Sequence, residues 1–496
     1  MNPGKAARAI AWLSAATLVA RHTLGNWQLI RTLAWLRDAD SPMDDHSTGV
    51  QPPEVHVILP VLREQEHVRA ALDWWRQILS SFPGMSLTIV STAREEHDRD
   101  LLIAALCSAR RLNSAAFPQL SRCALTALKQ ARAAANGHLN RDVAAEIIAQ
   151  APLTRDVVNQ LMAEGGPAQI HHLTYPGLGR KAAQINYAAQ SLPATGYIAI
   201  YDVDSRPEPE LLTATYSLLT SHRDGGPTII QQHAIHLTPR TTTATLVRGS
   251  ALLQTLWTLR REIPYARRYQ FSADRPGWRA RLRAGLSQPV GHGLFMRHDV
   301  FADLGGLPES TVLDDVPTGV ALTLHGITTQ SLAKVTAVPA PDSLAEVVAQ
   351  GRRWFCSYLD YPAVLRTASG ETSSHGHLAV LTGVAAYRAA AWLAASPLTV
   401  VAAIAGVAPR SGRKLRAAAW SGLALATLVP MALVTCSRPG EPSAWQLGQD
   451  SAELLIAYFV RSVGPWLAIM DAVRGHHPAS TTAPAPKAHR RREAAT

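Results

Sequence analysis

Two aspartates one residue apart are the feature of this sequence that most clearly suggests chemistry. Asp202 and Asp204 close an apolar run that begins at Tyr197, and alternation along a strand would turn both carboxylates to the same side. Paired carboxylates can hold one divalent cation, Mg²⁺ or Mn²⁺. A lone pair of this kind is more often a solvated acidic turn, so the interpretation depends on the motifs around it.

Further polar motifs lie on either side of the aspartate pair. Upstream, the segment 175–181 (Tyr-Pro-Gly-Leu-Gly-Arg-Lys) offers two glycines for close backbone approach and two cations for phosphates, and Asn186 follows. Downstream stand Asp314 and Asp315, and then the segment 350–354 (Gln-Gly-Arg-Arg-Trp). Arginine pairs with phosphates and tryptophan stacks on sugar faces, so this set suits a substrate that carries both groups.

The elements that must position these residues read as an α/β domain. Short runs rich in β-branched residues predict five strands, at 55–60, 87–92, 170–174, 197–204 and 228–237. Helical stretches separate them, which predicts a largely parallel sheet. Residues 100–165 are rich in alanine with apolar residues at helical spacing, and they predict a helical insertion.

The flanks of this domain read as membrane segments. We expect an N-terminal anchor at 1–37 (one span or a short hairpin), a polar linker at 38–53, the α/β domain at 54–362 and a membrane region at 377–473. Basic clusters at 410–416 and in the tail, 474–496, predict that both are cytoplasmic. A cytoplasmic α/β domain would then require the run 378–408 to cross twice, as a tight hairpin near 395–397.

Composition excludes several classes of protein. The chain has 496 residues, 47% hydrophobic and 17% charged, which rules out a disordered chain. Its formal charge of +11 comes from scattered arginines rather than one stripe, so we expect no nucleic-acid partner. The four cysteines show no paired spacing, which predicts neither a zinc site nor a disulfide framework and favours a reducing compartment.

The ordered set of motifs resembles the membrane-integrated family 2 glycosyltransferases, which include cellulose, chitin and hyaluronan synthases and the ceramide glucosyltransferases. The resemblance extends from about residue 54 to 362 together with the flanking membrane segments. Its motifs are the segment 58–64 (Ile-Leu-Pro-Val-Leu-Arg-Glu), Lys181 with Asn186, Asp202 with Asp204, Asp314 with Asp315, and a Q-x-x-R-W signature at Gln350, Arg353 and Trp354.

The resemblance implies a GT-A fold, a Rossmann-like nucleotide-sugar-binding domain flanked by transmembrane helices. It also implies inverting sugar transfer from a nucleotide sugar, with a UDP-sugar favoured, assisted by Mg²⁺ or Mn²⁺. Asp315 would be the catalytic base. The residues that would bind the donor are Glu64, Lys181, Asp202, Asp204 and Arg353, of which Asp204 and Asp202 would hold the metal. The residues that would contact the acceptor are Gly291, His292, Asp314, Gln350 and Trp354.

Two departures from the family pattern leave the substrates open. The segment 90–96 lacks the aspartate that usually follows the second strand, so the nucleotide is undecided, and Glu95 and Glu96 within it are expected to be surface charges. Asp314 stands where a glutamate is usual, so the acceptor, a polysaccharide or a lipid, is undecided too. The resemblance places the protein in a plasma membrane with several spans, and the composition favours a bacterial source. The alternative is a non-catalytic membrane scaffold or transporter subunit with a degenerate transferase domain.

For each of three further features, the sequence leaves two interpretations open. His233 and His292 suit either acceptor contacts or structural hydrogen bonds. The helical run around Trp257 suits either a core-facing helix with a solvated face or a helix at a membrane surface. Arg388 and Arg461, inside apolar runs, suit either snorkelling side chains or contacts with a lipid-linked or translocating product.

Overall fold

The computed structural model of the protein divides into two compact units. It describes residues 3–39, 53–113, 117, 120–220, 227–237, 244–270, 289–309, 311–341, 343–369, 375–437 and 443–475. The central unit comprises residues 54–205, and the flanking unit comprises the described parts of 1–53 and 206–496. The region predicted to form the catalytic domain, 54–362, therefore contributes to both units.

A parallel sheet of four strands forms the framework of the central unit. Its strands are β1 (Val55–Pro60), β2 (Met85–Thr92), β3 (Ile170–Tyr175) and β4 (Tyr197–Ile200). They lie in the order β3-β2-β1-β4, and all neighbouring pairs are parallel. β1, β2 and β4 are buried almost throughout, as expected for strands covered on both faces. The four strands predicted in this region are confirmed, although β4 ends earlier than expected.

Helix α2 (Gln65–Ser81) of the central unit packs next to the strand that leads to the aspartate pair. It buries Val68, Leu72 and Trp75 on one face, which matches the helical period of its apolar residues. The Trp75 ring lies edge-on to Tyr201, with 5.2 Å between ring centroids. Because Tyr201 directly follows β4, this contact fixes the start of the loop that carries the aspartate pair.

The described residues of the region 100–165 form helices and the loops that join them. Its helices are α3 (Arg94–Ser108), α4 (Arg122–Ala134), α5 (Arg141–Ala149) and α6 (Thr154–Ala163). Leu106, Leu128 and Ala144 are fully buried in a core of this segment's own. No strand occurs among its described residues, in agreement with the alanine-rich helical pattern.

The described part of the flanking unit contains three strands, which form a mixed arrangement. They are β5 (Ile229–Leu237), β6 (Leu294–Arg297) and β7 (Gln330–Pro339). β5 lies between the other two, antiparallel to β6 and parallel to β7. The fifth predicted strand is thus confirmed, but β6 and β7 were not predicted. β6 has only four residues, and β7 alternates polar and apolar residues weakly, so neither gives a clear signal.

Helices make up most of the rest of the flanking unit. They are α1 (Pro3–Ala39), α8 (Pro209–Thr220), α9 (Thr245–Trp257), α10 (Ile263–Gln270), α11 (His298–Asp303), α12 (Asp315–Leu324), α13 (Leu344–Leu359), α14 (Tyr361–Ser369), α15 (His375–Leu393), α16 (Ala395–Val407), α17 (Arg413–Ala426), α18 (Leu428–Cys436), α19 (Ala444–Val460) and α20 (Val463–Val473). A π-helical turn, Thr258–Glu262, joins α9 to α10.

Two helical stretches of the described chain are long and apolar enough to cross a membrane. They are Arg413–Cys436 and Ala444–Val473, and a third is possible if α15 and α16, which meet at 46°, form one span. The predicted tight hairpin near 395–397 is wrong, because backbone hydrogen bonding continues through the bend; the Leu398 amide donates to Ala394 O at 2.9 Å.

The N-terminal helix differs from both forms of anchor expected for it. α1 runs unbroken from Pro3 to Ala39, so it forms no hairpin. It is not among the described helices that are apolar enough to span a membrane. Arg8, Arg21 and Arg31 interrupt its apolar run, which explains the difference.

The helix that ends at Trp257 has a face buried inside the flanking unit. Gly249 lies against α19 so closely that a Cβ there would be 2.0 Å from Glu453 O, and Leu253 and Leu256 join a buried cluster. This packing favours the core-facing interpretation of α9. Its arginine Arg248 is not solvated, however: it forms an ion pair with Glu453, whose side chain is only 3% exposed.

Candidate functional site

The aspartate pair lies in a loop just past the end of β4. The strand ends at Ile200, so the predicted extension of the strand to Asp204 is wrong. Burial nevertheless alternates, because Tyr201 and Val203 are buried while Asp202 is partly and Asp204 fully exposed. Both carboxylates therefore face away from the core at the carboxyl end of a parallel sheet, where ligands of such sheets bind.

Lys181 meets the first of the two aspartates. It is the first residue of α7 (Lys181–Ala189), and its Nζ lies 2.5 Å from Asp202 Oδ1. No hydrogen bond or ion pair holds the Asp204 carboxylate among the described residues. Asp204 is thus the carboxylate more open to a ligand, and Lys181 already stands beside the pair.

Glu64 is the third acidic residue of this cluster. It precedes α2, and the pKa of its carboxyl is raised to about 7. Burial is the largest cause, His67 opposes the rise, and Asp204 and Asp202 add to it. Its neighbour Arg63 has a φ of +60°, a left-handed backbone that non-glycine residues seldom adopt and that often marks functional loops. Three carboxylates and one lysine thus gather at one edge of the sheet.

The helical insertion holds the Glu64 loop in place. The Glu64 amide donates to Thr154 Oγ1 at 3.0 Å, and the Thr154 amide donates to Glu95 at 3.2 Å. Gln65 Nε2 also donates to Glu95 Oε1, at 2.5 Å. Glu95 is buried, so its prediction as a surface charge is wrong: the N-terminus of α6 covers it. Glu96 is exposed, as predicted.

The predicted catalytic aspartate lies in the flanking unit. Asp314 directly precedes α12, and Asp315 is its first residue. The loop before them is tied to the end of α13, because the Val312 amide donates to Asp360 Oδ2 at 3.0 Å. The structure therefore brings the Asp314–Asp315 loop against the helix that carries the Q-x-x-R-W signature.

The three signature residues share one face of α13. Gln350, Arg353 and Trp354 stand at positions i, i+3 and i+4. Arg353 is exposed, and within the described residues it makes no hydrogen bond or ion pair. The neighbouring Arg352, in contrast, forms an ion pair with Asp471 of α20. Of the two consecutive arginines, Arg353 is the one open to a ligand.

The predicted acceptor turn, Gly291 with His292, is held by its backbone. Gln231 Nε2 donates to His292 O at 2.8 Å, and Gly293 follows with a φ of +62°, where a Cβ would lie 2.7 Å from Gln232 Cβ. His233 is buried and bonds Ser331 Oγ at 3.1 Å. Burial, assisted by His292, lowers the His233 pKa to about 3, so the structural interpretation of His233 is favoured.

The cluster in the central unit fits a divalent cation of the Mg²⁺ type. Within the described part of the chain, no group of three or more His, Cys, Asp or Glu side chains is arranged to hold a metal ion. Magnesium, however, typically takes one or two carboxylates and completes its shell with water and substrate phosphates. Asp202 and Asp204 supply that number of hard oxygen ligands.

Sequence patterns missed several residues that position this site. Thr154 and Asp360 each anchor a site loop through one hydrogen bond, and Glu95 holds Thr154. All three are distant in sequence from the loops they support. A helix start after Leu153, with Asp156 bonding back to the Leu153 amide, is the one local signal near them.

Comparison with known proteins gives structural likenesses only. No protein family and no curated protein matches the sequence. Among solved structures, the mannosyltransferase PcManGT from Pyrobaculum calidifontis, in complex with GDP-Man and Mn²⁺, matches with a TM-score of 0.46 and 15% identity over 91% of this chain and 99% of that chain. TarS from S. aureus (residues 1–349) matches with a TM-score of 0.35 and 9% identity over 85% of this chain and 92% of that chain. TarS was also solved with UDP-GlcNAc and with UDP.

The solved structures that resemble the chain thus include a mannosyltransferase with GDP-Man and a TarS structure with UDP-GlcNAc. With TM-scores of this size, the likenesses carry no argument of their own. The functional proposal rests on the residues of this chain.

Proposed function

We propose that the protein is an inverting glycosyltransferase of the family 2 type that moves a sugar from a nucleotide sugar, a UDP-sugar by preference, to a polysaccharide or lipid acceptor. The observation that carries the proposal is the cluster of Glu64, Lys181, Asp202 and Asp204 at the carboxyl end of a parallel sheet. The divalent cation that accompanies a nucleotide diphosphate would bring the positive charge that the three carboxylates lack, and Lys181 would meet the phosphates.

The donor would be held from one side by this cluster. Asp204, open to a ligand, and Asp202 would hold Mg²⁺ or Mn²⁺, which would screen the charge of the nucleotide diphosphate as it leaves. Lys181, whose Nζ lies 2.5 Å from Asp202 Oδ1, stands beside the proposed metal ligands. It would bind a phosphate oxygen there. In the proposed complex Arg353 would supply a further cation, and Gln350 and Trp354, on the same helix face, would contact the acceptor.

The transfer itself needs one proton acceptor. The acceptor hydroxyl attacks the anomeric carbon from the face opposite the diphosphate, so the new C–O bond forms as the old one breaks and the configuration inverts. Asp315 takes the hydroxyl proton, and the diphosphate leaves with the bonding electron pair. A positioned base of this kind contributes about 10²–10⁴-fold in rate. Asp314, Gly291 and His292 are proposed to border the acceptor.

The helical stretches Arg413–Cys436 and Ala444–Val473 are proposed to cross the plasma membrane. The basic cluster at 410–416 and the basic tail then lie on one side, the cytoplasmic one. The bent pair α15 and α16 is proposed to be a re-entrant segment, which enters the membrane and returns to the same side. The residues before 376 then also lie on the cytoplasmic side. Labelling of Cys436, which is exposed at the end of α18, tests this: reagent outside intact cells should reach it, and labelling only after lysis would overturn the orientation.

A transfer assay on membranes tests the enzyme. Membranes that contain the protein are incubated with radiolabelled nucleotide sugars and Mn²⁺, and the products are sorted into solvent-extractable and polymer-retained label. Asp315→Asn should lower transfer by at least about 10²-fold, while the melting temperature shift given by UDP with Mn²⁺ stays at the wild-type value. Asp303→Asn, an exposed aspartate of the same unit, is the matched control.

Each outcome of that assay has a definite meaning. Near wild-type turnover by Asp315→Asn would refute the base assignment. UDP and Mn²⁺ binding without Asp315-dependent label from any donor would favour the non-catalytic scaffold instead.

A further inference from the structure

A cavity lined by four arginines lies within the flanking unit. It is an open pocket with a cavity volume of about 30 Å³, between α1, the α9 region and the end of α19. The residues of its wall that matter here are Arg21, Arg260, Arg261, Arg461, Trp257 and Tyr458. Such a concentration of guanidinium groups between apolar helices needs a reason, because buried cations are costly unless they are paired.

No carboxylate neutralises this cluster. None of the residues that line the cavity is acidic, and within the described chain none of the four arginines has a carboxylate at ion-pair distance. Burial lowers the pKa of Arg260, partly offset by Tyr458, and Arg261 lowers it further. The same unit does pair other arginines, since Arg248 meets Glu453. The cavity therefore holds positive charge that the protein itself leaves uncompensated.

Neutral groups hold these arginines in position. Arg21 Nη1 donates to Ala391 O at 3.0 Å, Arg261 Nη1 donates to Tyr265 Oη at 2.5 Å, and the Arg461 guanidinium lies 5.7 Å from the Trp257 ring centroid.

The remaining cavity arginine shows an unused donor. Arg260 donates to Asn26 Oδ1, but its buried Nε, on a residue only 5% exposed, has no hydrogen-bond partner. A guanidinium has five N–H donors, and this buried Arg260 donor is one that the described protein does not satisfy.

The backbone is irregular where two of the arginines arise. Arg260 and Arg261 belong to the π-helical turn Thr258–Glu262, and both line the cavity. Consecutive residues of a regular α-helix point about 100° apart, so a widened turn helps two neighbours reach one space. π-helical turns are rare and are found frequently at functional sites.

The cavity is joined by direct contacts to the signature helix. Trp392 Nε1 donates to Arg461 O at 3.1 Å. The Trp392 ring lies edge-on to Tyr358, with 6.3 Å between ring centroids, and edge-on to Phe355 at 5.8 Å. Tyr358 and Phe355 belong to α13, the helix that carries Gln350, Arg353 and Trp354.

The surroundings favour a lipid over a free anion. Leu253 and Leu256 form part of the cavity wall. On α1, Leu24, which adjoins the wall residue Gly25, is 62% exposed, and Trp27, two residues after Gly25, is 50% exposed. An apolar chain would cover these side chains while an attached phosphate sits among the arginines, which bind phosphate oxygens through paired hydrogen bonds.

We propose that this cavity binds the phosphate headgroup of a lipid, and that this lipid is the acceptor or carries it. The second half of the proposal rests on the glycosyltransferase function proposed above, whereas the binding of a phosphate-bearing lipid does not.

Lipid binding to the purified full-length chain in detergent tests the site. The protein is offered phosphatidic acid or diacylglycerol with the same acyl chains, and the retained lipid is counted by native mass spectrometry. Wild type should retain phosphatidic acid in preference to diacylglycerol. Arg261→Gln and Arg461→Gln should each weaken that retention by about tenfold, the cost of one charge-assisted hydrogen bond. Arg413→Gln, an exposed arginine outside the cavity, should not.

The wild-type comparison alone decides the proposal even if a variant fails to fold. Equal retention of both lipids by wild type would overturn it. Displacement of phosphatidic acid by an equal concentration of inorganic phosphate would assign the cavity to a free anion and overturn the lipid assignment.

The two proposals fail separately. Asp315→Asn should bind phosphatidic acid as wild type does. If the wild-type protein binds phosphatidic acid but gives no Asp315-dependent sugar transfer from any donor, the enzyme is refuted and the cavity assignment stands.

Discussion

The acidic cluster of the central unit and the arginine cavity of the flanking unit are opposite in charge, but each brings several like charges together. The first gathers Glu64, Asp202 and Asp204, with Lys181 paired to Asp202. The second gathers four arginines with no acidic residue in the wall. In both, burial pushes a charged group toward its neutral form: the pKa of Glu64 rises to about 7, and that of Arg260 falls. Gathered like charges cost stability until a ligand of opposite charge binds.

Paired charges elsewhere in the flanking unit provide the contrast. Arg248 with Glu453 and Arg352 with Asp471 each form an ion pair across two helices. Such pairs hold helices together, and their charges are already neutralised, so they attract a charged ligand weakly. The distinction between a paired cation and a cation awaiting a ligand can be tested by substitution.

The largest effect on ligand binding is expected at the acidic cluster. Asp204→Asn should weaken Mn²⁺-dependent UDP binding by at least about tenfold, because it removes one ligand charge from a site with few protein ligands. A Mn²⁺ titration of the melting temperature in the presence of UDP measures this. Glu66→Gln, an exposed carboxylate on α2, serves as the control. An unchanged titration for Asp204→Asn would remove Asp204 from the metal site.

The free energy of unfolding should respond differently to the loss of a paired and of an unpaired charge. Glu453→Ala should lower the free energy of unfolding by about 3 kcal/mol, because it removes the carboxylate that forms an ion pair with the nearly buried Arg248. Arg461→Gln should leave stability unchanged or raise it, because it removes a repelling cation from the cavity. Denaturant titration of both variants in one detergent measures the two values. Equal destabilisation by both would break the comparison.

The smallest effect concerns pH. Glu64 has a native pKa of about 7 against an ordinary value of 4.5, so the native state binds the proton more tightly than the unfolded chain does. Stability should therefore fall as pH rises from about 4.5 to about 7 and then level off. Glu64→Gln should remove about 1 kcal/mol of that fall, a value reduced for solvent screening at a half-buried group.

Melting temperatures at about pH 5 and pH 8, without metal or nucleotide, measure this difference. Glu66→Gln should leave the fall in place. A Glu64→Gln variant that still loses the full amount would show that another group causes it.

The sequence predicted what is local and missed what depends on packing. The buried strands β1 to β4 and the spacing of Gln350, Arg353 and Trp354 follow from short-range patterns. β6 was missed because four residues give too little period. The support of Glu64 by Thr154 was missed because it joins loops 90 residues apart.

The arginine cavity shows the same limit more sharply. Arg461 was noted in its apolar run, but only as a single residue. Its convergence with Arg21 and Arg260 depends on the packing of α1, α9 and α19, which no local pattern encodes. For the same reason the predicted hairpin at 395–397 was wrong: composition marks an interruption but not the angle of the bend.

The close approach of α9 to α19 bears on how this protein could evolve or be engineered. Gly249 leaves no room for a side chain against the Glu453 backbone, and Arg248 depends on the Glu453 carboxylate. The helices after residue 413 therefore cannot be replaced freely by another membrane anchor. A version cut before them would lose part of its own core, and a chimera with another protein's anchor would have to reproduce this one contact to fold.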